Sequence, residues 1–373
     1  MDGGGAYLLT VNAGSSSIKF CLFNAETLEE IHNDKAEDSE SATRLIREWV
    51  DEHAAPEQVV AVGHRVVHGG PHHASSCVVT DEVIDELNSL VPLDPEHLPD
   101  QISLIEQLHE VFPAATPIAC FDTAFFHDLP VESRLLPIPR RYEAAGLRRY
   151  GFHGLSYVYL LHEFERIAGP EAARGKIIFA HLGNGASLAA VSDGKPIDTS
   201  MGLTPAGGIP MSTRSGDIDP GILTVIAHNQ QLDAEQLSHL IGFESGLLGI
   251  SETTSDMKQL LDMETTDQRA KEAVDIFCYS VRKFIGAYAA ALGGINSLVF
   301  SGGIGEVSAP IRGRVCSDLA FLGITLDEER NQASAERISA DNCSVGVHVI
   351  ATNEALTMAR DMQNIIKGED SNE

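Results

Sequence analysis

The chain is poor in basic residues. Its 373 residues include 26 lysines and arginines against 54 aspartates and glutamates, so the formal net charge is −28. A surface of that sign repels phosphate backbones and anionic lipid headgroups. We therefore expect neither a nucleic-acid-binding nor a membrane-surface role.

Paired cysteines and long apolar runs are missing as well. The six cysteines stand singly, with no Cys-x-x-Cys pair and no metal-like spacing to a histidine, which indicates reduced thiols in a cytoplasmic protein. The first apolar run, Tyr7 to Val11, is too short for a signal peptide. The longest one, Phe284 to Phe300, is interrupted by Gly293 and Asn296. These absences predict a folded, soluble protein without a membrane span.

A strand, a small polar turn and a second strand occur twice in the sequence. The first copy spans residues 7–23 around the turn that begins at Asn12, and the second spans 176–191 around Gly183 to Ser187. Helical and strand-like patterns alternate elsewhere, including one long amphipathic helix from Asp267 to Leu292. The pattern predicts an α/β fold with two duplicated halves, and the length suits two domains.

The two turns are candidate phosphate sites. Free backbone amides and hydroxyls in the Asn12 turn would converge on an anion, with Lys19 adding charge. Alone, such a turn is more often a plain polar β-turn, but its recurrence favours a nucleotide triphosphate. A third glycine-rich turn, Gly302 to Gly305, would let a base or ribose lie against the backbone. Neither a Walker A lysine nor a complete dinucleotide pattern is present, which disfavours a nicotinamide dehydrogenase.

Five further polar residues lie beside these turns. Arg65 and Arg214 together would clamp a carboxylate and a transferring phosphoryl group, although each alone is more often a surface ion pair. His153 stands between glycines, and a satisfied loop imidazole is the alternative there. Asp122 and Glu354 follow predicted strands, where ligands bind in α/β sheets. Lone acids there are often helix caps, yet Mg²⁺ needs only one or two carboxylates with phosphate oxygens and water.

The sequence strongly resembles the acetate kinase family. The resemblance rests on segments that occur in the family's order from end to end: VNAGSSSIKF, GHRVVHGG, FDTAFF, RRYGFHGLS, HLGNGAS, DTSMGLTP, TRSGDIDP, SGLLGIS, FSGGIGE and ATNEA. It implies two duplicated actin-like, ribonuclease-H-like α/β domains with a nucleotide cleft between them. The expected domains are residues 1–150, completed by a C-terminal helix at 355–373, and residues 151–354. It also implies reversible, ATP-dependent phosphorylation of acetate, or secondly propionate, with Mg²⁺ or Mn²⁺, by a homodimer.

The resemblance also assigns roles to individual residues. Arg65 and Arg214 would hold the carboxylate and the moving phosphoryl group, and His153 would hydrogen-bond that group. The full set comprises the catalytic residues Asp122, His153, Arg65 and Arg214; the acid-binding residues Arg65, Val67, Phe152, Pro205 and His97; the nucleotide-binding residues Lys19, His181, Leu182, Gly183, Asn184, Gly185, Asp256, Lys258, Gly302, Gly303, Ile304 and Gly305; and the metal-binding residues Asn12 and Glu354.

The sequence departs from the family around the acid pocket. The family's Ala-Pro-Leu-His element appears as residues 91–99, where we align its histidine with His97, so that Glu96 takes a normally apolar position. A carboxylate there would favour acetate over longer acids, whereas a Glu96 that points to solvent would have no effect. Lys258 stands where an arginine is usual. A non-catalytic nucleotide switch on the same fold is the rival, but it would have lost the arginine pair.

Overall fold

The computed structural model describes residues 5–14 and 17–368, which divide into two compact units. The first unit contains the described residues up to His127, residues 152–159 and the described residues from Asn353 onward. The second contains residues 128–151 and 160–352. Each unit holds one β-sheet with helices packed on it.

The strands form two β-sheets. They are β1 (Tyr7–Ala13), β2 (Ile18–Asn24), β3 (Glu30–Ala36), β4 (Val59–Val66), β5 (Cys77–Val78), β6 (Thr116–Phe121), β7 (Lys176–Leu182), β8 (Ala186–Ser192), β9 (Lys195–Thr199), β10 (Ser297–Ser301) and β11 (Gly346–Val349).

The helices lie between and after the strands. They are α1 (Ser39–His53), α2 (Asp81–Leu90), α3 (Leu98–Val111), α4 (Val131–Arg134), α5 (Arg140–Ala144), α6 (Gly154–Ala168), α7 (Pro170–Ala173), α8 (Pro220–Gln230), α9 (Ala234–Phe243), α10 (Gly246–Ser251), α11 (Met257–Met263), α12 (Gln268–Ala291), α13 (Gly302–Val307), α14 (Ala309–Cys316), α15 (Glu328–Gln332) and α16 (Glu354–Lys367). Short 3₁₀ turns occur at Pro56–Gln58, Val91–Leu93, Ala124–Phe126 and Ala320–Leu322.

The first sheet has the strand order β3-β2-β1-β4-β6-β5. Its first three strands form an antiparallel meander, and β4 and β6 continue from β1 in parallel. Helices α1 and α3 cover one face with apolar residues such as Ile46 and Leu108. Helix α16 covers the other, where Met362 packs so closely that Gly63 of β4 has no room for a Cβ, which would lie 2.4 Å from its sulfur.

The second sheet repeats this topology. Its order is β11-β10-β7-β8-β9, with an antiparallel meander of β7, β8 and β9 and with β10 and β11 parallel to β7. Strands β1, β2, β3, β4 and β6 thus correspond to β7, β8, β9, β10 and β11. This shared order confirms the duplicated α/β architecture that the two hairpins predict.

The helices begin and end where the sequence signals are strongest. Thr80 caps α2 by accepting a hydrogen bond from the amide of Val83. Asp267 caps α12, whose buried stripe includes Val274, Phe277 and seven other residues. The predicted long helix and both predicted hairpins are therefore present.

The division of the chain differs from the predicted break after residue 150. Residues 128–151 group with the second unit, because Arg149 donates a hydrogen bond to the carbonyl of Thr199 at the end of β9. Residues 152–159 group with the first unit, because the start of α6 hydrogen-bonds to α16 and to the loop after β6.

Within the described part of the chain, no helix has both the length and the apolar character that a bilayer crossing requires.

Candidate active site

Two opposite charges meet at the ends of the parallel strands β4 and β6. Arg65 is the penultimate residue of β4, and Asp122 directly follows β6. Arg65 Nε lies 3.1 Å from Asp122 Oδ1, and Nη2 lies 2.5 Å from Oδ2, so the ion pair is bidentate. The Asp122 side chain is fully buried, and that of Arg65 is 14% exposed. Parallel strands that end at one edge of a sheet explain why two residues so distant in sequence meet.

Asn12 connects this ion pair to Glu354. The Asn12 side chain accepts a hydrogen bond from Arg65 Nη1 (3.1 Å) and donates one to Glu354 Oε2 (2.7 Å). Glu354 is the first residue of α16, which the Asn353 side chain caps. The four residues Asn12, Arg65, Asp122 and Glu354 are called the Arg65 cluster below.

A serine that the sequence analysis did not single out holds the other side of Glu354. Ser156 is fully buried in the first turn of α6, and its hydroxyl donates to Glu354 Oε1 over 2.5 Å. Both carboxylate oxygens of Glu354 therefore have a donor, one from Asn12 and one from Ser156. The only signal in the sequence was a hydroxyl at a helix start, three residues after His153.

His153 is held in an unusual backbone conformation beside Asp122. Its φ is +59°, a left-handed value that a non-glycine residue seldom adopts, and its backbone amide hydrogen-bonds to the Asp122 side chain. The next residue, Gly154, donates its amide to the Asp122 carbonyl over 2.9 Å. A Cβ on Gly154 would lie 2.1 Å from that oxygen, so only glycine fits. Strain of this kind concentrates at functional sites.

Burial and neighbouring charges set the ionisation of the Arg65 cluster. Burial disfavours the charged guanidinium of Arg65, but Asp122 first, and then Glu354 and Asp94, raise the Arg65 pKa above its ordinary value. Burial raises the pKa of the Asp122 carboxyl, while the adjacent Arg65 opposes that shift. Arg65 therefore keeps its positive charge, which an anionic substrate requires.

Three of the predicted acid-binding residues besides Arg65 belong to the first unit. Val67 follows β4, is buried, and donates its amide to Gln101 of α3 over 3.0 Å. Phe152 is also buried and packs edge-on against the His68 ring. His97 precedes α3 and hydrogen-bonds to Asp94.

Glu96 is half-buried, and its proposed effect on acid length stays a prediction.

The second unit brings Arg214 together with two other predicted residues. Arg214 donates to the carbonyl of Pro205 over 3.3 Å, and its own carbonyl accepts from Met211. Ser212, in the same short loop, donates its amide and its hydroxyl to the backbone and side-chain oxygens of Asn184. Arg214, Pro205 and the predicted phosphate turn are therefore parts of one hydrogen-bonded region.

The predicted nucleotide residues meet at the ends of β7 and β10. His181 and Leu182 end β7, and the turn from Gly183 to Gly185 leads into β8. Gly302 follows β10 with a φ of +76°, and a Cβ there would lie 2.7 Å from the Leu182 carbonyl. The close approach explains why glycine occupies that position.

The segment Gly302–Gly305 is a helix start rather than the open turn that we predicted. It forms the first residues of α13, because Glu306 Oε1 accepts hydrogen bonds from the amides of Gly302 (2.9 Å) and Thr352 (3.3 Å). The fully buried Arg312 donates to the carbonyls of Gly305 and Glu306. Since a carboxylate already takes the Gly302 amide, this segment suits an uncharged part of a nucleotide better than a phosphate.

Three predicted nucleotide residues have simpler surroundings. Asp256 caps α11 by accepting a hydrogen bond from the amide of Gln259, and Lys258 is exposed. Lys19 is exposed and pairs with Asn12 across the first hairpin. The tip of that hairpin, residues 15 and 16, lies outside the described residues. A nucleotide role for these side chains stays a prediction.

Comparison with known proteins identifies the family. The model of the acetokinase family matches residues 29–360. This chain belongs to the acetokinase family. An acetate kinase of Rhodopseudomonas palustris strain TIE-1 is 39% identical over 394 residues, which cover 97% of this chain and 98% of that protein. An acetate kinase of Clostridium kluyveri is 38% identical over 395 residues, covering 96% and 98%.

Solved structures agree with the assignment to the acetokinases. A propionate kinase from Francisella tularensis has a TM-score of 0.90 at 34% identity, covering 96% of this chain and 99% of that one. The Porphyromonas gingivalis acetate kinase has a TM-score of 0.87 at 34% identity, covering 97% and 100%. The predicted family and fold are confirmed.

The donor set of this acetokinase fits a magnesium ion that is partly ligated by phosphate. Across residues 5–14 and 17–368, no three His, Cys, Asp or Glu side chains converge on a point that would hold a metal by protein ligands alone. Mg²⁺ usually takes only one or two carboxylates, together with substrate phosphates and water. The Arg65 cluster supplies two carboxylates and an amide oxygen, all oxygen donors, in one hydrogen-bonded group.

Proposed function

We propose that this acetokinase transfers the γ-phosphoryl group of ATP to acetate, giving acetyl phosphate and ADP, and catalyses the reverse reaction. The observation that carries the proposal is the buried Arg65 cluster. It holds an arginine that stays charged beside two carboxylates, which suits an anionic acid and a metal-bound triphosphate. Relatives named acetate kinase, 39% identical over nearly the whole chain, support the same reaction.

The chemistry needs little more than positioning and charge neutralisation. A carboxylate oxygen of acetate attacks the γ-phosphorus, and the bond from that phosphorus to the β,γ-bridging oxygen breaks, so that ADP leaves. Because the transition state is loose, alignment of the reactants and stabilisation of the phosphoryl oxygens dominate. Acetate is ionised at neutral pH and already a nucleophile, so no general base is required.

We assign Arg65 to the acetate carboxylate, because its charge is fixed by Asp122 and it lies two residues before Val67 in the chain. We assign Arg214 and His153 to the transferring phosphoryl group. The left-handed backbone of His153 supports this role, since such strain places a side chain that relaxed backbone would aim elsewhere.

Asn12 and Glu354 would hold Mg²⁺, directly or through its water, with Asp122 nearby. Bound there, the ion would neutralise charge on the triphosphate. Asn184 and its glycine neighbours would contact the phosphates, and the start of α13 would face the adenosine, because the Gly302 amide is already bonded to Glu306. Mn²⁺ is an alternative metal.

Propionate is the second candidate substrate. The Francisella tularensis propionate kinase has a TM-score of 0.90 to this chain, which supports that alternative. If the Glu96 carboxylate faces the acyl group, it favours acetate, because each added methylene then loses the roughly 0.8 kcal/mol that an apolar wall would return. Glu96→Leu should then raise kcat/KM for propionate more than for acetate.

We further propose a cytoplasmic homodimer.

The test is acyl hydroxamate formation from ATP with acetate, propionate and butyrate, with Mg²⁺ or with excess chelator. We expect acetate to react fastest and the chelator to abolish turnover. Arg65→Ala and Arg214→Ala should each lower kcat/KM by a factor on the order of 10³, as expected of an arginine at a transferring phosphoryl group. Arg140→Ala, at a surface arginine whose side chain is 76% exposed, is the control.

Two results would refute this assignment. Nucleotide binding without acyl phosphate from any acid would favour the non-catalytic switch. Folded arginine variants with near-normal kcat/KM would remove the proposed roles of Arg65 and Arg214.

A further inference from the structure

A carboxylate–imidazole pair lies next to the Arg65 cluster in the first unit. Asp94 Oδ1 lies 2.8 Å from His97 Nδ1, and the two side chains are only 3% and 10% exposed. The sequence analysis named His97 by alignment and gave Asp94 no role. Burying a histidine together with a carboxylate costs free energy unless the two groups are hydrogen-bonded, so such a pair points to a specific role.

Helix α3 links this pair to the backbone that follows Arg65. His97 immediately precedes α3, and Gln101, four residues later, lies on the same helix face. Gln101 is buried and accepts a hydrogen bond from the amide of Val67, two residues after Arg65. His97 is thus one helical turn from the residue that holds the proposed acid pocket.

Asp94 is not fully satisfied by His97. Its second oxygen, Oδ2, is buried and has no hydrogen-bond partner among the described residues. Its negative charge nevertheless acts on Arg65, whose pKa it raises together with Asp122 and Glu354. Asp94 therefore interacts with both the His97 ring and the Arg65 guanidinium.

We propose that Asp94 is a positioning residue that orients His97 toward the acid substrate beside Arg65, and this inference rests on the function proposed above. Asp94 accepts a hydrogen bond from Nδ1 and so fixes the orientation of the His97 ring at the proposed acid pocket. Asp94 acts on the acid through His97 and does not itself contact it.

The proposal predicts a dependence of one side chain on the other. Asp94→Asn and His97→Ala should each raise KM for acetate by a factor on the order of 10, the usual effect of losing a buried supporting partner. KM for ATP should change less than about twofold, because neither residue contacts the nucleotide in this account. The double variant should be no worse than His97→Ala alone, since Asp94 acts through His97.

The experiment measures kcat and both KM values by acyl hydroxamate formation for the wild type, the two single variants and the double variant. His239→Ala is the matched control, because His239 and Glu244 form the same kind of pair over 3.0 Å on the surface of the second unit. It should behave as the wild type. Asp94→Glu, which keeps the charge, should recover most of the acetate affinity and serves if Asp94→Asn does not fold.

Three outcomes would overturn the inference. Effects of Asp94→Asn and His97→Ala that add in the double variant would separate the two residues. An equal rise in KM for ATP would make the pair merely structural, and so would an unchanged KM for acetate in Asp94→Asn. Absence of acyl phosphate in the wild type would instead refute the proposed function, so the two failures are distinguishable.

Discussion

Single residues fix the geometry of the Arg65 cluster through contacts that span the chain. Glu354 receives one hydrogen bond from Asn12 and one from Ser156, which lie 342 and 198 residues away. Each donor takes a different oxygen, so the carboxylate has one orientation. If Glu354 holds Mg²⁺ as proposed, loss of a partner that orients this carboxylate should lower the metal affinity by a factor of about 10 to 100.

Ser156→Ala should weaken the binding of Mg²⁺ at the proposed site. Without the hydroxyl, Glu354 Oε1 loses this buried donor, and the orientation of the carboxylate is held less tightly. We expect the Mg²⁺ concentration for half-maximal rate, and the Mn²⁺ dissociation constant measured by electron paramagnetic resonance, to rise by a factor on the order of 10. Ser89→Ala, at an exposed serine of α2, is the control. Unchanged values in a folded Ser156→Ala protein would show that Ser156 only fills space.

His64 should make the protein less stable in acid. It is buried in β4 with no hydrogen-bond partner for Nε2 among the described residues, and desolvation lowers its pKa from 6.5 to about 3. The unfolded chain therefore binds an extra proton between those values. The contribution of neutral His64 is complete above pH 6.5 and is lost as the pH falls toward 3, by about 1.4 kcal/mol per pH unit.

The check for His64 is the free energy of unfolding by urea as a function of pH, in the wild type and in His64→Gln. The difference between the two curves should change by that slope below pH 6.5 and stay flat above it. Parallel curves throughout would mean that His64 does not titrate with unfolding.

At the scale of elements, the ends of strands and the starts of helices build the site. Gly154 begins α6 against the carbonyl of Asp122, and Glu354 begins α16 beside β1. Both helix starts belong to the first unit, so its sheet carries the Arg65 cluster and the elements that hold it. A change at one of these contacts should therefore affect stability and activity together.

Gly154→Ala should lower both the stability and the activity of the protein. The added Cβ would lie 2.1 Å from a backbone oxygen that cannot move independently, so we expect a loss of about 1–3 kcal/mol or more in unfolding free energy and a lower kcat. Gly286→Ala is the contrast. It lies within α12 with open space around it and should stabilise the protein by up to about 1 kcal/mol. Equal effects of the two substitutions in urea unfolding would contradict the packing argument.

The predictions from sequence succeeded where the signal is local. The hairpins and the stripe of α12 depend on residues close together in the chain. The roles of Ser156 and Asp94 were missed. Ser156 contacts Glu354, 198 residues away, and Asp94 contacts His97 only because of the conformation of the turn before α3. Glu306 was missed for the same reason, so α13 was predicted as an open turn.

At the scale of the whole molecule, duplication and charge are the main features. The same strand order in both units gives each sheet an edge where parallel strands end, and the predicted residues divide between those edges. The net charge of −28 repels anionic substrates, and the acidic side chains of the folded chain also repel one another. The opposing positive charge comes from 8 lysines and 18 arginines.

Salt should therefore stabilise the protein. Raising NaCl from about 0.1 to 1 M shortens the Debye length from about 10 to 3 Å and screens the self-repulsion. We expect Tm to rise by at least about 1 °C, the shift that about 1 kcal/mol produces in a protein of this size. Sucrose at equal osmolarity controls for solute exclusion. A flat or falling Tm in NaCl would show that the acidic residues are already compensated.

The most direct test of the central claim is ³¹P NMR of the enzyme with ATP, Mg²⁺ and acetate. The account predicts that, with acetate in excess, the γ-phosphate signal of ATP falls toward equilibrium while an acetyl phosphate signal grows by the same amount, with ADP as the other product and no change when acetate is omitted. Release of inorganic phosphate from ATP without acetyl phosphate would contradict it, and so would unchanged ATP in the presence of acetate.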